Sequence, residues 1–198
     1  MEAITVAITG ASGAQYGLRL IECLVAADKQ VSVLISKAAQ VVIATETDIK
    51  MPTRSHWVDF FSQKFNAKEG QIRVYGVEEW LAPVASGSGS SGGMVICPCS
   101  TGTLSAVATG ASNNLIERAA DVVLKERKLL VLVPRETPYS EIHLQNMLTL
   151  TRMGAVILPA SPGFYNKPTS IDDLVDFIVA RILGHLGIPQ DMVPKWGE

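Results

Sequence analysis

The residues with the clearest chemical potential form a glycine-rich turn near the N-terminus, Thr9-Gly10-Ala11-Ser12-Gly13. Gly10 and Gly13 permit a positive φ and let a ligand approach the backbone closely. The helical segment that follows would present free N–H groups, which attract an anion and usually a phosphate. Ser12 adds a hydroxyl at the same place. The turn therefore predicts a phosphate-binding site, the alternative being an ordinary strand-to-helix turn that Ser12 caps.

Other small, hydroxyl-bearing or charged residues directly follow apolar segments. They are Ser36, the run from Ser100 to Thr103, Arg135 with Glu136, and the run from Ala160 to Tyr165. If the apolar segments are parallel strands, these residues share the carboxyl edge of one sheet, where ligands bind in open α/β sheets. Hydroxyls, small residues and an Arg-Glu pair at one edge suit a phosphate-bearing ligand of moderate size.

The elements that must position these residues alternate along the chain as apolar runs and segments of helical spacing. The predicted strands cover 3–8, 31–35, 72–75, 94–97, 129–133 and 155–158, and the predicted helices 14–25, 37 to about 46, 103–108, about 115 to 127, about 140 to 153 and about 170 to 183. This alternation predicts an α/β, three-layer, Rossmann-like or flavodoxin-like fold, with a mostly parallel sheet of about six strands flanked by helices. We expect one domain over 1–198 with a C-terminal tail from about 185.

Composition narrows the function classes. Hydrophobic residues make up 47% of the 198 residues and charged residues 18%, so we expect part of the surface to be buried between subunits. The net charge is −2 and no basic stretch occurs, which argues against nucleic acid as a partner. No apolar run approaches the roughly 20 residues of a membrane span. Met1-Glu2 leads directly into a strand and resembles no signal peptide, so the cytoplasm is the expected location.

The metal-binding and nicotinamide-binding alternatives find little support. The three cysteines and three histidines show no ligand spacing, which argues against a metal site and a disulfide framework. The glycine turn resembles that of short-chain dehydrogenases, but Ser36-Lys37 stands where a ribose-binding acidic residue is expected, although Lys37 could meet a 2′-phosphate. The Tyr-x-x-x-Lys motif of that family and the Gly-Lys-Ser/Thr of a P-loop are both absent.

Nearly the whole chain resembles the flavin prenyltransferases of the UbiX type. The motifs that carry the resemblance are, in order, Thr9-Gly10-Ala11-Ser12-Gly13-Ala14, Ile35-Ser36-Lys37-Ala38-Ala39, Cys97-Pro98-Cys99-Ser100-Thr101-Gly102-Thr103-Leu104-Ser105, Arg118-Ala119-Ala120-Asp121-Val122, Leu124-Lys125-Glu126-Arg127, Arg135-Glu136-Thr137-Pro138 and Pro162-Gly163-Phe164-Tyr165. Each motif is weak alone, and their combination and order make the match strong. Ser86-Gly87-Ser88 also resembles the family, whereas 89–93 resembles an ordinary flexible loop.

The resemblance implies an activity. A dimethylallyl group from dimethylallyl monophosphate is joined to N5 and C6 of reduced FMN, and phosphate is released. The prenylated FMN serves a UbiD-type decarboxylase, in ubiquinone biosynthesis or related aromatic acid decarboxylation. The family assembles as a homododecamer with sites between subunits and needs no metal.

The resemblance also implies residue roles. FMN is bound by Gly10, Ala11, Ser12, Ser36, Ser100, Thr101, Gly102, Thr103 and Arg135. The prenyl substrate is bound by Tyr165, Arg181, Lys125, Arg118, Trp80 and Trp196, and the catalytic set is Glu136, Lys125, Ser12 and Glu46. Fixed cations stabilise a leaving phosphate, a carboxylate moves protons, and aromatic faces attract the cationic prenyl group. We expect Glu46 to reach in from a neighbouring subunit.

Simpler interpretations exist for several of these residues, and two other functions stay open. Arg118 and Lys125 lie among Glu117, Asp121 and Glu126 on one helical stretch, where exposed salt pairs are common. Arg181 has the position of an ordinary surface residue of a helix.

The other functions are a flavin-dependent decarboxylase of the cysteine-decarboxylase group, whose Pro-Ala-Ser-Ala-Asn-Thr motif is absent here, and a non-catalytic FMN carrier.

Overall fold

Six parallel strands form one sheet in the computed structural model, which describes residues 3–89 and 92–194. The strands are β1 Ile4–Ile8, β2 Val31–Ile35, β3 Ile72–Tyr75, β4 Gly93–Cys99, β5 Leu129–Pro134 and β6 Val156–Ile157, and their order is β3-β2-β1-β4-β5-β6. The chain reverses its winding direction between β1 and β4. Crevices for ligands form at such a switch point, outside the carboxyl ends of the strands.

Helices cover both faces of this sheet. They are α1 Ala14–Ala26, α2 Lys37–Glu46, α3 Trp57–Lys64, α4 Thr101–Ala108, α5 Leu115–Lys125, α6 Glu141–Arg152 and α7 Ile171–His185. One apolar core lies between the sheet and α1, α2, α3 and α7, and a second between the sheet and α4, α5 and α6. The predicted three-layer α/β fold is therefore confirmed.

The central strand β1 shows why the strands of this sheet are continuous apolar runs in the sequence. Each of its five residues is buried, because β2 and β4 pair with its two edges and helices cover its two faces. Val6 packs in the core of α1, and its neighbour Ala7 packs in the core of α4 and α5. Successive side chains thus point to opposite faces, as strand geometry requires.

The ends of several elements follow local capping chemistry. Ser36 caps α2 by accepting the N–H of Ala39, and Ser170 forms with Asp173 the capping box that begins α7. The predicted end of α5 near 127 is wrong, because the helix stops at Lys125 and Arg127 takes a left-handed φ of 56°. Helix α1 begins after Gly13, whose φ is 105°, so the alternative of a Ser12 cap is also wrong.

The segment between α2 and β3 holds α3, preceded by a 3-10 turn over Arg54–His56. Trp57 and Phe61 are buried in the core, and the Trp57 indole N–H donates to the carbonyl oxygen of Pro52 at 2.9 Å. These aromatic side chains anchor α3 against the sheet. They are therefore part of the core on this face of the sheet.

Strand β4 changes its pairing near its end. Its register with β5 shifts between Ile96 and Cys99, and this places Cys97 in one core and Cys99 in the other. Burial raises the pKa of both thiols, so they stay protonated. All three cysteines are free. Within the described residues, no helix has both the length and the apolar character needed to cross a membrane.

A pair of helical glycines gives a test of the packing. A Cβ at Gly17 would lie 2.2 Å from the carbonyl oxygen of Cys97 and 2.9 Å from Cγ1 of Ile8, whereas a Cβ at Gly184 meets nothing within 4 Å. We expect Gly17→Ala to lower the free energy of unfolding by about 3 kcal/mol or more. Gly184→Ala should raise it by about 0.5–1 kcal/mol, since alanine favours helix. Chemical denaturation of both variants measures this, and equal effects would contradict the packing of α1 on β4.

Candidate functional site

The glycine turn after β1 is closed by a carboxylate. Glu46, the last residue of α2, accepts the N–H groups of Gly13 at 2.8 Å and Ala14 at 3.2 Å through Oε2, and the Ser12 side chain also hydrogen-bonds to it. These N–H groups are the donors that the start of α1 would offer to an anion. The anion at this helix start is therefore a side chain of the protein.

This contact corrects one prediction and bears on another. The expectation that Glu46 reaches in from a neighbouring subunit is wrong, because its carboxylate contacts the start of α1 of its own chain. No local pattern links residues 13 and 46, which are 33 positions apart. Phosphate binding at the glycine turn stays a prediction, with Glu46 as the partner of the Gly13 and Ala14 N–H groups in this structure.

The charge of Glu46 makes the fold sensitive to acid. Partial burial opposes ionisation, but hydrogen bonds from Ser12, Gly13 and Ala14, together with the charge of Arg135, outweigh it and lower the pKa of Glu46 below its ordinary value of 4.5. A carboxylate whose pKa is lower in the folded protein stabilises the fold above the unfolded pKa. That stabilisation is lost as the pH falls through the folded pKa.

We therefore expect Glu46→Gln to lower the melting temperature at pH 7 by roughly 1–4 °C, the effect of about 0.3–1 kcal/mol at a helix start. The difference from the unsubstituted protein should shrink as the pH falls below 4.5. Melting curves from pH 7 to pH 3 measure both. Asp48→Asn, at an exposed carboxylate just beyond α2, is the matched control. A difference that does not change with pH would contradict the role of the charge.

The turn after β2 packs directly on the first turn. The Ser36 N–H donates to the carbonyl oxygen of Ile8 at 3.1 Å, and the Ser36 Oγ caps α2. A Cβ at Gly10 would lie 2.6 Å from that of Ala38, so glycine is required here by the approach of α2. Both ends of α2 thus contact the turn after β1, one at Gly10 and the other at Gly13.

The turn after β4 presents the open donors of the site. Ser100 Oγ accepts the N–H of Thr103 at 3.3 Å and donates to Thr103 Oγ1 at 3.1 Å. The N–H groups of Thr101 and Gly102 lie in the first turn of α4, where no intrahelical acceptor exists. Nothing lies within 4 Å of a Cβ built on Gly102, so a ligand can approach this backbone.

Arg135 and Glu136 follow β5 and extend the same edge. The Arg135 Nε donates to the carbonyl oxygen of Ser12 at 3.2 Å, spanning the strand β4 that separates their strands. Glu136 is half-buried, and its Oε1 accepts the N–H of Thr137 at 3.1 Å. Burial, and then the charge of Glu136, raise the pKa of Tyr139, which keeps this phenol protonated.

The residues that follow the strands at the carboxyl edge of the sheet form one group, which we call the edge cluster. It contains all nine residues predicted to bind FMN, together with Glu136 and Glu46: Gly10, Ala11, Ser12, Ser36, Glu46, Ser100, Thr101, Gly102, Thr103, Arg135 and Glu136. Its donor set fits that ligand: hydroxyls and helix-start N–H groups suit a phosphate and the polar edge of a flavin, and Arg135 supplies a positive charge. Among the described residues, no group of three or more His, Cys, Asp or Glu is arranged to hold a metal ion.

Tyr165 and Arg181 form a second group. Both line a cavity of about 470 Å³ between α7 and the segment 188–194 that follows it. Tyr165 is 55% exposed, and its ring packs edge-to-face on Phe177 with a centroid separation of 5.7 Å. Phe177 lies one turn before Arg181 on the same face of α7. Phe177 is not among the residues predicted from the sequence, although its spacing of four residues from Arg181 could have indicated it.

Arg118 and Lys125 form a third group, on one face of α5. The Arg118 Nε donates to the carbonyl oxygen of Ala85 at 3.0 Å, and its Nη1 pairs with Asp121 at 2.8 Å. Lys125 pairs with Glu126 beside the backbone of Gly87. Lys125 lies near the amino edge of the sheet, because β5 begins only four residues later, at Leu129. Within one protomer it is thus at the opposite edge from the glycine turn.

The aromatic residues predicted to flank the prenyl group are also separate. Trp80 is 47% exposed in the loop after β3. Trp196 lies outside the described residues. The structure of one protomer therefore brings together the predicted FMN-binding residues, and leaves Tyr165 with Arg181, and Arg118 with Lys125, as two further groups.

Several known proteins are similar to this chain over most of its length. The Flavoprotein family model matches residues 1–183. The flavin prenyltransferase UbiX of Pseudomonas aeruginosa is 66% identical over 198 residues, which cover 100% of this chain and 95% of that protein. The structure of AnUbiX (PadA1) in complex with FMN and dimethylallyl pyrophosphate superimposes with a TM-score of 0.88 at 41% identity, over 100% of this chain and 98% of that one.

A dodecameric FMN-dependent UbiX-like decarboxylase from Escherichia coli O157:H7 is similar as well. Its TM-score is 0.88 at 36% identity, and the match covers 99% of this chain and 100% of that chain. Identity of this extent over full length is far above what a shared fold alone requires. The chain therefore belongs to the Flavoprotein family and, within it, to the UbiX-type flavin prenyltransferases.

Proposed function

We propose that this protein transfers a dimethylallyl group from dimethylallyl phosphate to N5 and C6 of reduced FMN, with release of phosphate. The observation that supports this best is the 66% full-length identity with a flavin prenyltransferase. The edge cluster supports it independently, since every residue assigned to FMN lies at one edge of the sheet. The whole chain acts as a single flavoprotein domain with a tail after α7.

The edge cluster binds FMN. The start of α4 and the hydroxyls of Thr101 and Thr103 are the donors left for its phosphate, because Glu46 already takes those of Gly13 and Ala14. Ser36 and Arg135 complete the site from the neighbouring turns. Reduced FMN supplies the nucleophilic atoms of the reaction. Glu136, next to Arg135 and half-buried, moves the proton that the new bond at the flavin displaces.

Tyr165 and Arg181 bind the prenyl phosphate. An arginine offers a fixed, permanently charged donor set that stabilises the negative charge developing on a leaving phosphate. The Tyr165 ring, held by Phe177, offers an aromatic face to the prenyl group. AnUbiX was crystallised with a pyrophosphate donor, whereas the resemblance of the motifs implies a monophosphate. Comparing turnover with the two donors decides which one this chain uses.

Neighbouring copies of the chain complete the site. Lys125 and Arg118 lie apart from the edge cluster within one protomer, so they act on the FMN of another subunit. A related protein is dodecameric, and exposed apolar side chains such as Leu81, Ile142 and Leu144 offer surface for assembly. We propose a homododecamer in the cytoplasm, consistent with three free cysteines, that delivers prenylated FMN to a UbiD-type decarboxylase.

The direct test is anaerobic. The purified protein is mixed with reduced FMN and dimethylallyl monophosphate, or in a parallel reaction dimethylallyl pyrophosphate, and the mass of the extracted flavin is measured by mass spectrometry. We expect a mass gain of one prenyl unit that depends on the protein. FMN that binds but stays unmodified with both donors would contradict the proposal and favour the FMN carrier. Carbon dioxide release from a peptide with a C-terminal cysteine would instead favour the decarboxylase.

A further inference from the structure

Thr9 is a buried residue between two turns of the edge cluster, and none of the roles above uses its side chain. It follows β1 directly and is 1% exposed. Its Oγ1 donates to the carbonyl oxygen of Pro98 at 2.8 Å and accepts the N–H of Ser100 at 2.8 Å. The first bond reaches Pro98, near the end of β4, and the second reaches Ser100, in the turn after β4. A single hydroxyl therefore joins the two turns that hold most of the predicted FMN ligands.

The regular pairing of β1 with β4 ends before Thr9. The paired residues of β1 and β4 run from Ile4 opposite Gly93 to Ala7 opposite Ile96, and β4 then departs from its regular register. Beyond Ala7, Thr9 links the end of β1 to the end of β4, since its N–H also donates to the Pro98 carbonyl oxygen at 3.2 Å. The position of the second turn relative to the first is thus set by Thr9.

Ser100 connects Thr9 to the N–H groups at the start of α4 that are predicted to bind FMN. The Ser100 N–H is held by Thr9, and the Ser100 side chain caps α4 by accepting the N–H of Thr103. The open N–H groups of Thr101 and Gly102 lie between these two anchors. We propose that Thr9 is a positioning residue for FMN binding, which holds the start of α4 at the correct place beside the glycine turn.

The experiment compares variants of the full chain by titration with FMN. Thr9→Val keeps the shape of the side chain, removes the hydroxyl and leaves the Ser100 N–H without its acceptor. We expect the dissociation constant for FMN to rise at least tenfold. The matched control is Thr5→Val, the same change at a fully buried threonine within β1, the strand that Thr9 follows. It should leave the dissociation constant within threefold of that of the unsubstituted protein.

A second pair of variants keeps the test decisive if Thr9→Val does not fold. Thr9→Ser and Thr9→Ala both lose the methyl group, and only the serine keeps the hydroxyl. We expect FMN affinity within threefold of the unsubstituted protein for Thr9→Ser and at least tenfold weaker for Thr9→Ala. Equal affinities for this pair would overturn the proposal, as would losses in Thr9→Val and Thr5→Val that simply follow their losses in melting temperature.

Kinetics separate positioning from a general loss of structure. In Thr9→Val the KM for FMN should rise at least tenfold, while turnover at saturating FMN and the KM for dimethylallyl phosphate stay within threefold. A fall in turnover at saturating FMN with an unchanged KM would overturn the assignment. The inference rests on the proposed FMN site, but its main readout is FMN affinity. Failure of the unsubstituted protein to bind FMN would refute the proposed function, and unaltered affinity in Thr9→Val would refute only this inference.

Discussion

Glu136→Gln should lower the turnover number by about 100-fold, within the range measured for loss of a general acid or base. Glutamine has nearly the same shape and can still accept the N–H of Thr137, which Glu136 now binds at 3.1 Å. It cannot take up or deliver a proton at neutral pH. Glu136 lies two residues beyond β5 and next to Arg135, whose Nε donates to the Ser12 carbonyl oxygen in the glycine turn. The FMN dissociation constant should therefore stay within threefold.

Single-turnover reactions under anaerobic conditions, with the flavin product quantified by mass, measure this effect. Glu69→Gln is the matched control, because this carboxylate is exposed just before β3, at the amino edge of the sheet. It should leave turnover unchanged. If Glu136→Gln also turns over at the normal rate, Glu136 has no part in the proton transfer. A parallel loss of FMN binding would instead assign it to flavin binding.

Arg181→Ala should raise the KM for dimethylallyl phosphate roughly tenfold or more and leave FMN affinity within twofold. A charge-assisted contact contributes about 1.5–3 kcal/mol, and each 1.4 kcal/mol changes an affinity tenfold. The selective effect follows from location. Arg181 lines the cavity that it shares with Tyr165, and the residues that line this cavity include none of the edge cluster.

Two further variants sharpen this prediction. Arg181→Lys keeps the charge but loses the planar donor set, so it should recover part of the affinity for the prenyl phosphate. Arg152→Ala removes an exposed arginine at the end of α6 and should change neither ligand. Steady-state kinetics with each substrate varied in turn give the KM values. An equal loss of affinity for FMN and prenyl phosphate would mean that Arg181 has a structural role.

Because the predicted site residues form three separate groups within one protomer, we expect activity to depend on the assembly of subunits. Arg118 pairs with Asp121 on α5 and Lys125 pairs with Glu126 just after it, as the simpler interpretation of the sequence predicts. That pairing does not exclude a role in the proposed site, because half-exposed ion pairs are weak and their partners exchange at little cost. A dissociated protomer would hold the FMN site at the edge of the sheet without these cations, so we expect it to bind FMN but not to prenylate it.

Much of the secondary structure of this protein could be predicted from the sequence. The bounds of β2, α2 and β3 match the predicted ranges, and Ser36 and Ser170 begin their helices as capping residues. Residues within four positions of each other determine such features, through hydrophobic periodicity and side-chain caps. The set of residues at the carboxyl edge was also predictable, because parallel strands bring the residues that follow them to one side.

The tertiary structure alone decided what these residues contact. The Glu46 carboxylate binds the start of α1, Thr9 joins the end of β4 and its turn to the turn after β1, and Arg135 reaches Ser12 across β4. These partners are between 33 and 123 positions apart in the chain. Their contacts depend on how α2 crosses the glycine turn and where β4 leaves its register. Residue types and spacing determined which groups can do chemistry, and the packing of distant segments determined which of them meet.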